Sequence, residues 1–375
     1  LSTIENILKR YIMENHFIKN VEFENFKCFE KLKVKELKRV NLIGGKNNIG
    51  KTSFMEGLEI LVKPKTGFGL RIKCVDILRR RQSKKNINPF QPQFLQPLKF
   101  DFFISLDKVI KFTSNVGNAN IKYIPVNEKI EALNIHAMNP QQIQDVYMSK
   151  IASIPFMEFT KENEKFATPI QDVENHFFNE DEANIKTNVS FISSSTTDES
   201  VLATYYGSIL SSEKDNDLNL YLSDFDENII SLKAIPMMIQ GNIVSELQLK
   251  LRNREGLVKL TSLGEGINRY IAILCAIWAS KDGYLFIDEI ENGIHYTNYE
   301  KLWKIILEAS KQASCQVFAT THSKECIEAF NRVNESDEGI YLEFYRNQKN
   351  GLIVVKERDN EQLEYALSHN SEIRG

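Results

Sequence analysis

Eight consecutive residues carry the clearest chemistry in this chain. Gly45-Lys46-Asn47-Asn48-Ile49-Gly50-Lys51-Thr52 satisfies the pattern G-x-x-x-x-G-K-[ST] in full. Gly45 and Gly50 let the backbone curl so that its N–H groups point at phosphate oxygens. A helix beginning near Lys51 adds the positive end of its dipole. Lys51 can reach β- and γ-phosphates, and Thr52 can place its hydroxyl on Mg²⁺. A second constellation, Asp288-Glu289, closes the apolar run Tyr284-Leu285-Phe286-Ile287. Open α/β sheets bind ligands at strand carboxyl ends, where these acids would sit. Asp288 would then hold the metal ion, directly or through water, and Glu289 would orient or deprotonate the attacking water.

Two further patterns bear on the same chemistry. In Thr261-Ser262-Leu263-Gly264-Glu265-Gly266, a serine followed by two glycines at a helix start forms an anion cradle. It cannot serve phosphates already held at residues 45–52 unless another subunit supplies it. Val317-Phe318-Ala319-Thr320-Thr321-His322 ends a strand in a histidine that could reach a γ-phosphate. The D-x-D patterns at Asp215–Asp217 and Asp224–Asp226 read as solvated turns rather than a metal site.

Elements that would position these groups can be placed from the same sequence. Strands are expected at 17–23 and ending at Val40-Asn41-Leu42-Ile43, followed by a helix with Phe54, Leu58 and Leu61 on its apolar face. Residues 62–98 are basic. A β pair is expected at 100–106 and 109–113, and mostly helical structure over 127–182. Residues 189–260 mix strands and a helix. Beyond 266 the pattern predicts a helix (267–279), a strand (284–288), a helix (298–311), a strand (316–321), a helix (323–332) and a hairpin turning at Asn350-Gly351. This alternation predicts an α/β core from residues 17–61 and 240–375. Residues 62–239 form an inserted, mixed and mostly helical lobe, and residues 1–16 an extension.

Composition bounds the function. With 375 residues, 42% hydrophobic and 26% charged, the chain is globular, in one elaborated domain or two lobes. A net charge of −3 excludes a whole-chain polyanion-binding arm, although a local basic patch remains open. Cys28, Cys74, Cys275, Cys315 and Cys326 are odd in number and scattered, which suits a reducing cytoplasm and argues against a disulfide framework or zinc knuckle. The longest apolar stretch, Tyr270–Ala279, is too short to span a bilayer, and no signal peptide is read at the front. A cytoplasmic protein with no membrane partner is expected.

The motif order 45–52, 262–266, 288–289, 322 resembles that of ATP-binding-cassette (ABC) ATPases. More narrowly, Asn47-Asn48 in the phosphate loop, the signature Ser-Leu-Gly-Glu-Gly and the run Asp288-Glu289-Ile290-Glu291-Asn292-Gly293-Ile294-His295 resemble the RecF-like branch that includes the overcoming-lysogenization-defect (OLD) family. The matching stretches cover roughly residues 17–60 and 240–335. The resemblance implies an ABC-type P-loop ATPase head with a β-containing N-terminal lobe. It implies that Gly45 through Ser53 form the Walker A loop on ATP, that Thr52 and Asp288 hold Mg²⁺, and that Glu289, Lys51 and His322 are catalytic. Ser262, Gly264 and Gly266 match the signature loop, which acts on the partner subunit's nucleotide. His295 falls where many relatives carry an aspartate. Gln82, Gln91, Gln93 and Gln96 all remain candidates for a Q-loop glutamine.

The resemblance further implies a homodimer, or a higher even oligomer, that closes on ATP. The OLD-type Toprim nuclease is expected on a separate polypeptide, because only residues 323–375 follow His322. Such paired arrangements suggest anti-phage defence systems of the PARIS type, with a nuclease or toxin as effector. An ATP-dependent toxin-sequestering scaffold and a RecF-like DNA-repair ATPase are the alternatives. The basic segment 63–85 could track DNA, hold an acidic partner or be a solvated face.

Overall fold

The computed structural model describes residues 16–83, 101–125, 155–170, 188–194, 199–239, 242–335 and 338–369. Segments rich in aliphatic and aromatic residues pair into three sheets. The first is antiparallel. It comprises β1 (Val21–Phe26), β2 (Phe29–Val34), β4 (Ile110–Ser114), β5 (Gly117–Ile124), β6 (Phe156–Lys161) and β7 (Glu164–Pro169), in the order β2-β1-β4-β5-β6-β7. The second is the central sheet. Its strands are β3 (Val40–Gly45), β8 (Val189–Ile192), β12 (Tyr284–Ile287), β13 (Gln316–Thr320), β14 (Gly339–Arg346) and β15 (Ile353–Arg358), in the order β15-β14-β3-β13-β12-β8. All run parallel to their neighbours except β15, which pairs antiparallel with β14. A small third sheet holds β9 (Ile229–Ile239), β10 (Asn242–Leu251) and β11 (Leu257–Lys259).

The parallel strands read as unbroken apolar runs because both of their faces are buried. Leu285 and Ile287 enter one core and Phe286 the other. Val317 and Ala319 divide from Phe318 in the same way, as does Leu42 from Ile43. One core contains helices α3 (Glu199–Ser211), α5 (Glu265–Ala279) and α6 (Tyr299–Ala313). The other contains α1 (Lys51–Val62), part of α2 (Gly67–Ser83) and the antiparallel sheet. Because β3, β13 and β12 are adjacent and parallel, their carboxyl ends share one edge of the sheet. That edge gathers residues 45–52, 288–289 and 322.

Several expectations shift. The first strand is Val21–Phe26 rather than 17–23, and β2 follows it across a turn at Lys27, whose φ of 54° no glycine or Asn-Gly pair announces. Residues 101–102 are helical and only Phe103 makes an isolated bridge, to Phe26, so the expected strand 100–106 does not form over its described part; the pair is β4 with β5, turned at Asn115-Val116. Within 127–182, Phe156–Lys161 and Glu164–Pro169 form a hairpin rather than helix, and most of the remainder lies outside the described residues. Strand β8, expected in the inserted lobe, pairs with β12 in the central sheet; four residues are too few for a periodicity argument. Asp215–Phe225 is helix α4, with Asp215 and Asp217 in its first turn and Lys214 bonded to Asp217, so the aspartates there favour a helix dipole rather than a turn. Among the described residues no group of three or more acids, histidines or cysteines has metal-binding geometry, and no helix is long and apolar enough to cross a membrane.

The basic segment acquires a structural occupation. Helix α2 packs on α1, whose Glu56 and Glu59 are both buried. Lys73 Nζ reaches Glu59 Oε1 at 2.7 Å and Arg80 reaches Glu59 Oε2 at 2.5 Å. Arg81 bonds both oxygens of Glu56 at 2.7 and 2.8 Å, and Lys27 Nζ takes Glu56 Oε2 at 2.5 Å. Burial pushes both carboxyls up, but the surrounding cations outweigh it and hold them below the usual range. Lys84 and Lys85 lie outside the described residues.

Candidate functional site

The phosphate loop runs from the end of β3 into α1. Gly45 has φ 141°, and a Cβ there would meet the Phe344 carbonyl oxygen at 2.4 Å. Gly50 has φ 91°; a Cβ would meet Cys28 Sγ at 2.6 Å and the Phe29 ring at 2.8 Å. Asn48 adopts the left-handed region at φ 59°. Gly50 is the N-cap of α1 and offers no side chain to cap it, so the helix start presents backbone N–H groups instead. This is the cradle that a polyphosphate needs.

Lys51 is 6% exposed. Its Nζ donates to the Gly45 carbonyl (2.6 Å), the Lys46 carbonyl (2.8 Å) and His322 Nδ1 (3.3 Å). Burial lowers its pKa to about 8, against the opposing pull of Glu291, Asp288 and Glu289. Burial and the Lys51 charge also lower the pKa of His322. With Nδ1 accepting from Lys51, the imidazole proton belongs on Nε2, which faces Glu289 Oε1 at 3.9 Å.

Thr52 Oγ1 donates to Asp288 Oδ1 at 3.2 Å, so the two residues expected to hold a metal ion stand together. Thr320 completes this corner. Its hydroxyl donates to Asp288 Oδ1 (2.9 Å) and accepts from the Glu289 N–H (2.8 Å). Glu289 sits at φ 50°, which a non-glycine residue holds only under constraint. Its Oε2 accepts from Asn292 Nδ2 at 2.6 Å, and Glu291 Oε1 accepts the His322 backbone N–H at 2.6 Å.

The structure therefore brings together Lys51, Thr52, Asp288, Glu289 and His322. It does not bring Ser262 and Gly264 to them. Both are exposed at the start of α5, and no hydrogen bond joins either to the phosphate loop among the described residues. Gly266 packs against Gly293 of the segment after the acids: a Cβ on Gly266 would meet the Gly293 carbonyl oxygen at 2.5 Å. His295 is exposed, with Nδ1 against the Thr297 hydroxyl at 2.9 Å and its ring against Tyr296. Of the glutamine candidates, Gln91, Gln93 and Gln96 lie outside the described residues. Sequence reasoning missed Thr320 as a site residue, and it missed Arg269, whose Nη2 donates to the Asp288 carbonyl at 2.6 Å. A polar pair ending an apolar strand and a lone cation on an apolar helix were the available signals.

A glycine-built phosphate cradle, a lysine and threonine at its helix, and two acids from a strand one place removed make up a P-loop nucleotide site in an α/β fold. The family model described as an AAA ATPase domain matches residues 174–327. The chain is 26% identical over 388 residues to an ATP/GTP phosphatase of Helicobacter pylori, a match covering 96% of this chain and 100% of that one. It is 33% identical over 101 residues to an uncharacterized protein of Methanocaldococcus jannaschii, covering 27% of this chain and 80% of the relative. Among solved structures, an Smc head bound to the C-terminal winged-helix domain of ScpA is similar with TM-score 0.46 and 10% identity, covering 92% of this chain and 99% of that one. The SMC head domain of Thermotoga maritima is similar with TM-score 0.42 and 13% identity, covering 90% and 98%. The chain is an ATPase.

Proposed function

We propose that this ATPase works as a head-to-tail dimer that closes around two molecules of ATP, each held between one phosphate loop and the opposing signature loop. The observation that carries this reading is the exposure of Ser262 and Gly264 on a molecule whose phosphate loop, acids and His322 are already assembled without them. A second copy is the chemically economical source of the missing cradle.

In this reading the backbone N–H groups of residues 45–53 and Lys51 hold the β- and γ-phosphates. The paired Thr52 and Asp288 fit Mg²⁺, a hard cation that takes oxygen ligands, and the ion would supply charge neutralisation on the phosphates. Glu289 accepts the proton of the attacking water, and Asn292 fixes its carboxylate. His322 donates Nε2–H toward the transferring phosphoryl. ATP thereby favours the closed state through contacts made only there, and hydrolysis releases it.

The resemblance to OLD-like proteins supports a further step: the closing head controls a separate effector, a nuclease or toxin, in anti-phage defence. Engagement of Lys73, Arg80 and Arg81 by Glu59 and Glu56 favours this reading over a DNA track along α2.

Gel filtration with ATP tests the core of the proposal. Glu289→Gln should elute at twice the monomer mass with ATP, whereas Lys51→Ala should not. Persistence of a monomer at saturating ATP refutes the sandwich. Phage challenge of cells carrying the chain with its genomic neighbour, and with Lys51→Ala in its place, tests the effector step.

A further inference from the structure

We infer that Arg269 is a positioning residue for catalysis: it fixes the backbone of the turn carrying Asp288 and Glu289, and links that turn to the helix that begins at the signature loop. This rests on the assignment of Glu289 as the catalytic base.

Arg269 is the fifth residue of α5, a helix that is otherwise almost wholly apolar from Ile267 to Ala279. The residue is 7% exposed. Burial lowers its pKa, although the acids nearby favour its charge. No carboxylate lies within ion-pairing distance of it among the described residues, and its Nε–H is buried without an acceptor. A cation kept on these terms costs stability. What it gains instead is three backbone carbonyls. Nη1 donates to Ser193, and Nη2 donates to Asp288 at 2.6 Å and to Glu289 at 3.2 Å.

Two of those carbonyls belong to the catalytic acids themselves, and the third follows β8, the strand beside them. Glu289 occupies the left-handed region, so its backbone must be held by its surroundings. Thr320 holds the turn from the β13 side through the Glu289 N–H. Arg269 holds it from the α5 side through the carbonyls. A planar fork can span separate carbonyls in this way, whereas a lysine offers donors from a single nitrogen. The Gly266–Gly293 contact lies in the same seam, so motion of the signature loop has a rigid route to the acid turn.

Arg269→Gln and Arg269→Lys, each made in the wild type and in Glu289→Gln, test the inference. In Arg269→Gln, kcat for ATP should fall about 30–100-fold with KM changed less than about threefold, because a carboxylate displaced by roughly an ångström loses its line to the water. Binding of a fluorescent ATP analogue should be retained. Arg269→Lys should recover part of the rate. In the Glu289→Gln background, Arg269→Gln should remove less than about a further twofold, since the group it aims is gone. Losses that multiply in the double variant, a rise in KM at constant kcat, or wild-type turnover in Arg269→Gln overturns the inference while leaving the base assignment intact. Wild-type turnover in Glu289→Gln alone overturns that assignment and the inference with it. Should Arg269→Gln fail to fold, Arg269→Lys decides: reduced kcat at unchanged KM and melting temperature supports the role, and wild-type kcat refutes it.

Discussion

Replacing Glu59 with glutamine should destabilise the protein far more than a surface ion pair can. Glu59 is 2% exposed in α1, and it neutralises Lys73 and Arg80. The Arg80 side chain is 23% exposed and can turn toward water. Lys73 is 5% exposed and cannot, so the variant buries an uncompensated ammonium. Breaking a buried pair from one side costs about 3–5 kcal/mol. For a chain of this length unfolding as one unit, that is a fall in Tm of about 4–6 °C. Lys311→Gln is the control: its pair with Glu338 leaves the lysine side chain 54% exposed, and its loss should cost under about 1 kcal/mol. Thermal and urea unfolding measure both. The sign with pH follows from the lowered pKa of Glu59. Its stabilisation is present above the unfolded carboxyl value near 4.3 and disappears as pH falls through the lower folded value, so wild type and Glu59→Gln should converge in acid. Replacing Glu59 and Lys73 together by methionine should recover much of the loss. A Glu59→Gln shift no larger than that of the control refutes the buried-network reasoning. Charge-neutralising changes at Arg80 and Arg81 should likewise register in stability before any nucleic-acid contact is considered.

Thr320→Val removes the donor to Asp288 and the acceptor of the Glu289 N–H; kcat should fall about tenfold or more and stability by about 1–3 kcal/mol, read by steady-state kinetics and melting. Gly50→Ala forces a left-handed alanine against Cys28 and Phe29, and binding of a fluorescent ATP analogue should be lost while far-UV circular dichroism is kept. Lys51 has a pKa of about 8 before phosphate arrives, and a phosphate raises it. Below that pH no proton is taken up on binding; above it one is, so ATP affinity should weaken by up to about tenfold per pH unit above 8, and a flat titration refutes the buried-ammonium account.

The site was legible because its chemistry is local. A glycine-lysine loop and an acid pair declare themselves within eight residues, and the apolar runs before them could only be strands. The elements misread from sequence were short segments whose character is fixed by their pairing. Phe156–Lys161, expected helical, becomes a strand by pairing with β5 and β7, and Val189–Ile192, expected as a strand, takes its place in the central sheet by pairing with β12. Tertiary context decides such short segments. Arg80 and Arg81 read as a basic patch because the sequence does not reveal that Glu56 and Glu59 lie opposite. Arg269 escaped notice because it bonds backbone carbonyls, which carry no residue type, and Thr320 because its partners Asp288 and Glu289 end a different strand.

The placement of β3 has a consequence for synthesis. Its two neighbours in the sheet, β13 and β14, follow it by about 280 residues or more. At ordinary elongation rates of about 5–20 residues per second, the phosphate-binding strand waits roughly 15–60 s for its pairing partners. Until then the loop has no sheet to rest on, and Gly45 lacks the Phe344 carbonyl beneath it. The nascent chain therefore becomes able to grip nucleotide only after β13 and β14 have emerged, so a ribosome that stalls before them leaves a fragment with no working nucleotide site.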